Sequence, residues 1–479
     1  MLNTNDSTIK SISLVGDKLC CWVVATMLRA TLANLKISIR IIATSDSTDV
    51  LPIVTSSNFV NKFQLLSMIK VPLNEFVSRC DATFRIGDGY CGGENNDIDF
   101  IHTFSSCKHS FGRVPVHELL ARLHSKGENI SLAELSLAAQ MAKSGKIFPI
   151  DESIVREYFS ALGVNFSRSA FIELFEEKAN LLAIDYIETA LLKVNIDDSN
   201  EKITSIVSRD GEFNADFFID CTGHSRSLIG NLSDVTELGE IFEKVEQTNE
   251  AVKCQSPVNK FFLQDDVIEH QVSLSQLNQS IQYSIKPDVI NHAKPVKLTL
   301  MKKTWAGNCL ALGHSMANIA NLALNEIDLL QEAVLIFVDH FPRSSSSVLL
   351  AQQFNRVMSA KINQYWQLHF LILQANSLTK LTDNCLVNFD IDSSKSLINR
   401  LELYRETGRV LLKDHESWSE HYWVSFLMGL KYWPLAWSPE CEMLELSTTS
   451  ALLVKEKQRI QEYVASLPEY SQVLENLKH

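Results

Sequence analysis

Glycine is scarce in this chain, with 17 among 479 residues, against a usual share of about 7%. Few positions therefore let the backbone approach a ligand phosphate closely. Long apolar runs are missing too: no segment strings together the roughly 18 uncharged residues that a membrane span needs. Positive charge is not in excess, since 44 Lys and Arg face 57 Asp and Glu for a formal net charge of −13. That balance excludes a protein that tracks nucleic-acid phosphates, while leaving room for a local basic pocket that takes a small anion. No charged-then-apolar leader occupies Met1–Lys10, and with ten cysteines this predicts free thiols and a cytoplasmic protein. There is no internal repeat, and the single biased tract, Ser344–Ser347, reads as a loop.

What is present suffices for a large core. The chain is 46% hydrophobic and 21% charged, long enough for two interdependent domains. It opens with an apolar strand at Ile9–Val15, a helix-period run at Leu19–Leu35 and a second strand at Ile37–Ala43. In a dinucleotide-binding unit the turn after the first strand holds the pyrophosphate against the helix N-terminus, and Gly16 stands where the first glycine belongs.

Short helices are predicted at Phe63–Ile69 and Leu73–Cys80, a strand over Ala82–Tyr90, a loop over His102–Arg113, and helices at Val116–Leu123 and Leu132–Lys143, the last closed by Gly145. A helix at Ala170–Asn180 leads into a predicted β-meander of Ile184–Val194, Lys202–Ser208 and Phe213–Cys221. The region from His224 to Ala306 reads as polar and mixed, with one strand-like stretch at Leu298–Lys302, and a short apolar strand follows at Asn308–Gly313. Beyond Asn325 helices dominate, at Ile327–Phe341, Ser346–Leu373, Ser393–Thr407, Trp418–Leu430 and Ala451–Leu467. The layout predicts an α/β domain over residues 1–325, with inserted substrate-side segments near 60–150 and 224–306, and a helical domain over residues 326–479.

Two local clusters invite chemistry. His102, Cys107, His109 and His117 lie close together, but their spacing matches no common tetrahedral metal pattern, so no metal is expected. Cys20 and Cys21 are adjacent and cannot form a redox pair of the Cys-x-x-Cys kind, which makes them packing residues.

Four co-linear segments, Ser136–Lys146, Asp220-Cys221-Thr222-Gly223, Gly307–Gly313 and Leu401–Val410, together with Phe354-Asn355-Arg356 and Trp423–Gly429, resemble the flavin-dependent tryptophan halogenases over nearly the whole chain. The resemblance implies a Rossmann-like FAD-binding core with a β-meander, of the FAD-dependent monooxygenase type, carrying a helical C-terminal region. It also implies FAD as cofactor, a flavin reductase as partner and an aromatic small molecule as substrate. In that family hypohalous acid made at the flavin passes to a lysine beside the substrate, where a glutamate assists. On this chain the resemblance places Gly16, Trp22, Thr222, Gly223 and Gly313 at the cofactor and Arg85 at the lysine position.

Several of the family's residues are replaced. Gly16-Asp17-Lys18-Leu19-Cys20-Cys21-Trp22 keeps the first glycine and the tryptophan of the family's Gly-x-Gly-x-x-Gly-Trp turn, but puts Lys18 and Cys21 at the other glycines and an anionic Asp17 beside them. The ribose-binding acid of such folds falls near Ala43, with Asp46 three residues late. Thr55-Ser56-Ser57-Asn58 stands for the family's Gly-Glu-Ser-Thr and reads as a polar N-cap to the helix at Phe63. A guanidinium at Arg85 cannot supply the neutral amine that a lysine can. Ala323 stands at the glutamate position, and Ile281–Lys286 is a tryptophan-free echo of the family's Trp-x-Trp-x-Ile-Pro. The aromatics Tyr422, Trp423, Tyr432, Trp433 and Trp437 serve core packing or a flat-ring pocket. Three functions stay open: a halogenase relative whose chemistry is lost or altered, a working flavin halogenase or monooxygenase on an indole-like substrate, and a non-catalytic binding protein.

Overall fold

Apolar period-2 runs near the start of the chain become a parallel sheet, as their residue pattern predicts. The computed structural model describes residues 9–44, 51–57, 65–93, 98–105, 110–128, 130–150, 162–199, 201–249, 256–264, 266–319, 326–342, 347–375 and 391–478. Its contacts divide the chain into one unit of residues 1–80, 166–239 and 297–363 and another of residues 81–165, 240–296 and 364–479.

The first unit carries a six-stranded sheet in the order Asp185–Glu188, Ser38–Ala43, Ser11–Gly16, Phe217–Cys221, Cys309–Ala311, Trp305–Ala306. All neighbours are parallel except the last pair. Ile12, Leu14, Val15, Ile39, Ile41 and Ile42 are buried in it, which is why these strands read as nearly continuous apolar runs. The helix Lys18–Thr31 buries every residue from Leu19 to Leu28. The meander is smaller than its sequence pattern predicts: it consists of Leu191–Ile196, Ile203–Ser208 and Gly211–Phe213, while Asp185–Glu188 and Phe217–Cys221 join the parallel sheet.

The C-terminal end of Phe217–Cys221 is fastened by Asp220, which is fully buried. Its Oδ1 accepts from the Thr222 amide (2.8 Å), the Thr222 hydroxyl (2.7 Å) and the Ser315 hydroxyl (3.0 Å). Its Oδ2 accepts from the amides of Leu228 (2.9 Å) and Ile229 (2.8 Å).

The second unit contains six consecutive strands of a larger sheet, in the order Val235–Thr248, Asn278–Ser284, Val267–Ser273, Val258–Gln264, Gly87–Gly92, Ile98–Thr103; the first of these enters the unit at Glu240. Here the expectation of a mixed region between His224 and Ala306 is corrected, because six described strands occupy it: four of those just named, Lys294–Met301, which overlaps the predicted stretch Leu298–Lys302, and Trp305–Ala306. Their outward positions carry Lys, Glu and Gln, so the period-2 signal is diluted rather than absent. The predicted strand Ala82–Tyr90 is two strands, Thr83–Arg85 and Gly87–Gly92, with a break at Ile86, and the predicted loop after His102 begins inside the strand Ile98–Thr103. Ser136 splits the predicted helix Leu132–Lys143 by capping Leu137–Lys143 through the Ala139 amide.

One face of this sheet is closely stacked. Phe100, Tyr90, Phe261 and His270 follow one another across four strands with ring centroids 5.0, 4.7 and 4.1 Å apart. Asn165 and Asn259 exchange amide hydrogen bonds of 2.9 and 3.2 Å. The last helix, Tyr470–Lys478, is fixed at both ends: the Tyr470 hydroxyl donates to Phe84 O (2.6 Å) and Lys478 Nζ reaches Asp81 Oδ1 (3.0 Å) and Ser275 Oγ (2.7 Å). Among the described residues no helix is long and apolar enough to cross a membrane.

Replacing Asp220 by alanine strands two buried amides, so it is expected to lower stability in urea denaturation by about 3 kcal/mol or more. Asp210→Ala in an exposed turn should change it by no more than ~0.5 kcal/mol.

Candidate functional site

In the first unit the ends of the parallel strands bring Gly16, Thr222, Gly223 and Gly313 together, in the crevice where open α/β sheets take ligands. Gly16 has φ +131°, and a Cβ there would lie 2.1 Å from the Cys221 carbonyl. Only glycine fits, so this residue is required by backbone crossing alone. The Gly223 amide donates to Ser315 Oγ (2.8 Å). A Cβ on Gly313 (φ +59°) would meet Cys20 Sγ at 3.2 Å. Trp22 is buried under the turn, stacked on Tyr186 at 5.3 Å and Phe175 at 6.2 Å.

The helix Lys18–Thr31 begins at this crevice, and Asp17 caps it, its Oδ1 accepting from the Cys20 amide (2.9 Å). Arg168 Nη1 lies 3.7 Å from the same oxygen. A negative group thus already stands at the positive end of the helix dipole, on an amide that a phosphate would use. Lys18 faces elsewhere, with Nζ 2.7 Å from Glu188 and 3.5 Å from Glu176. Partial burial works against its charge, yet the bond to Glu188 leaves the ammonium above its ordinary range. Cys21 is fully buried, and burial pushes its thiol up. At the end of the second strand Ala43 is buried and offers no carboxylate; Asp46 lies outside the described residues.

Ser56 and Ser57 are tied to the helix Glu326–Asp339. Both hydroxyls and the Ser57 amide (2.8 Å) are held by the buried Asp328, while residues 58–64, where that cap would act, lie outside the described residues.

In the second unit Arg85 ends the strand Thr83–Arg85 and is 3% exposed. Its Nη1 donates to Asp88 Oδ1, and its guanidinium sits 4.9 Å from the Phe104 ring centre. Burial raises the Asp88 carboxyl above its usual range, against the opposing pull of Arg85. His102 lies opposite Asp88 in the sheet register and donates from Nε2 to Tyr422 O (3.0 Å). His117 likewise binds Gly408 O (3.0 Å); Cys107 and His109 lie outside the described residues. Ala323 and the rest of the segment 320–325 do so as well. Trp423 is fully buried with Arg400 over its ring at 4.4 Å, Trp433 stacks on His124 at 4.1 Å, and Trp437 bonds Glu442 at 2.6 Å. Each of these three tryptophans already has a partner within the protein.

Sequence reasoning missed three residues that define both places, Asp17 as a cap, Asp328 and Asp88. Asp17 was legible, since a polar residue directly before a helix-period run is a start signal. Asp328 and Asp88 had no local signal.

The fold is an α/β nucleotide-binding type with a second, mainly antiparallel sheet, and comparison with known proteins narrows it. The tryptophan halogenase family model matches residues 11–248 and 266–445, so the chain belongs to the tryptophan halogenase family. Tryptophan 7-halogenase RebH of Lentzea aerocolonigenes is 21% identical, the match covering 96% of this chain and 98% of that protein. Among solved structures, BrvH, a flavin-dependent halogenase from Brevundimonas sp. BAL3, superposes with a TM-score of 0.84 at 15% identity, covering 98% of this chain and 99% of that one. Xcc4156, a flavin-dependent halogenase from Xanthomonas campestris, gives 0.84 at 17% identity, covering 98% of each chain. These structures share the fold.

Burial holds His102 and His270 neutral, lowering each from 6.5 to about 3. Below pH 6.5 an unfolded chain takes up protons that the folded chain refuses, so stability should fall as pH drops from 6.5 towards 3. Neither ring nitrogen of His270 has a hydrogen-bond partner among the described residues. His270→Phe keeps the ring stack, and should leave the melting temperature at pH 7 nearly unchanged while flattening its decline between pH 6.5 and 4.5, roughly the range below the ordinary histidine pKa.

Proposed function

We propose that this chain is a halogenase-family protein that no longer halogenates and acts as a binding protein, its cofactor and relay positions satisfied by its own carboxylates. The observation that carries the reading is the Asp17 carboxylate on the Cys20 amide at the start of the helix Lys18–Thr31. A diphosphate brought to that turn meets an anion that is already hydrogen-bonded, and Lys18 is engaged with Glu188 rather than free to offset it. The residues present do not fit the phosphates of FAD, the cofactor that membership of the family implies.

The same pattern recurs at the other positions taken from the family. Asp328 occupies the hydroxyls of Ser56 and Ser57, and Asp88 neutralises Arg85 where the family has its lysine. A guanidinium stays protonated at any working pH, so Arg85 has no lone pair to take up a halogen. Catalytic groups that act together lose nearly all their rate when members are missing.

Titrating FAD against the full chain tests the reading. A folded-state ligand at 100 times its dissociation constant adds about 2.7 kcal/mol of stability, so an FAD-binding protein must melt higher with FAD, and this one is expected not to. Incubation with FAD, a flavin reductase, NADH, bromide and tryptophan or indole is expected to give no brominated product. Arg85→Lys combined with Ala323→Glu should restore none. A rise in melting temperature with FAD overturns the cofactor half of the reading, and brominated indole from the native chain establishes instead a working flavin halogenase with substituted contacts.

A further inference from the structure

The second unit holds a cavity of about 850 Å³ against its sheet, at the strand positions that alternate with the stacked rings of Tyr90, Phe100 and Phe261, and Tyr90 and Phe100 also contribute to its lining. Its floor comes from those positions on three neighbouring strands. Gly89 faces Ile101 on one side and Lys260 on the other, and Cys91 faces Asp99 and Phe262. Its wall comes from Ala133, Ala139 and Ala142 around the helix Leu137–Lys143. The volume lies within the range of roughly 300–1,000 Å³ usual for small-molecule sites.

Gly89 is the informative residue. The strand Gly87–Gly92 has glycines at both ends, and both are forced: a Cβ on Gly87 would lie 2.5 Å from the His102 carbonyl oxygen, and one on Gly92 2.1 Å from that of Leu263. Gly89 differs. Its φ is not positive, and a Cβ would meet nothing closer than 3.7 Å, an ordinary contact with Asn259 O and Val258 Cγ2. A glycine inside a strand weakens it and leaves nothing to pack. Folding does not require one here, but an open floor does.

The charges around the cavity define what the floor would receive. Glu134 is paired with Lys457 at 2.5 Å, and Glu469 with Lys146 at 3.7 Å. Lys143, Lys260 and Asp99 also line the cavity and have no ion pair within 4.0 Å among the described residues. Two uncommitted cations against one uncommitted anion favour a ligand with one negative charge. The half-buried Ile101, Val258 and Phe262 with the three alanines favour an apolar body.

We infer that this cavity binds an amphipathic monocarboxylate, its apolar body laid over Gly89 against Ile101 and Phe262 and its carboxylate held by Lys260 and Lys143. The site involves none of the residues of the crevice or the Arg85 position, so it stands whether or not FAD binds.

Calorimetric titration of the full chain with 3-phenylpropionate tests it, with 3-phenylpropylamine as the cationic analogue of the same body. Saturable binding of the acid, and none of the amine, is expected. Gly89→Leu fills the floor and Lys260→Glu reverses the charge at an exposed position; each should weaken the acid by about tenfold or more. If Gly89→Leu fails to fold by circular dichroism, Lys260→Glu and Lys143→Glu carry the test. Absence of saturable binding to the native chain, equal binding of acid and amine, or binding that neither folded variant weakens overturns the inference.

Discussion

A carboxylate and a phosphate compete for the same free amides at the start of a helix, and in this chain the carboxylate is covalently present. Asp17 sits one residue past Gly16, whose backbone passes so near Cys221 that the turn has no other way to run. The crossing sets the direction of the helix and the cap then closes its first turn. An intramolecular acceptor is always at hand, whereas a diffusing ligand must first displace it.

The second unit repeats the logic with the sign reversed. A buried guanidinium alone would be strongly unfavourable, and pairing with Asp88 offsets that penalty. Pairs of this kind add little net stability but fix an arrangement, because losing either member leaves the other charged and dry. The pair is flanked by His102 and, on the same face, the stack that ends at His270.

Much of the fold was legible. Ile12, Leu14, Val15 and the strand Ser38–Ala43 form mostly apolar, largely buried runs, and the C-terminal helices keep their 3.6-residue period. Of the five strands between Val235 and Met301 only the last was legible, as the stretch Leu298–Lys302, since segments such as Val258–Gln264 place Lys260 and Gln264 on an exposed face and mimic loop composition. Within the site, the glycine and lysine replacements could be read directly, but their consequences could not. Arg85 and Asp88 are three residues apart, a spacing that puts them on opposite faces of a continuous strand. Only the break at Ile86 turns them toward each other. Ser56 and Asp328 meet across 272 residues, and no local pattern announces such a contact.

The contact between Lys478 and Asp81 closes a span of 397 residues. Because the unit that contains both is assembled from three separated stretches of chain, its last helix cannot dock until synthesis has passed residue 478. Contacts of such sequence separation form late, because the entropy of closing the loop must be met before they can hold.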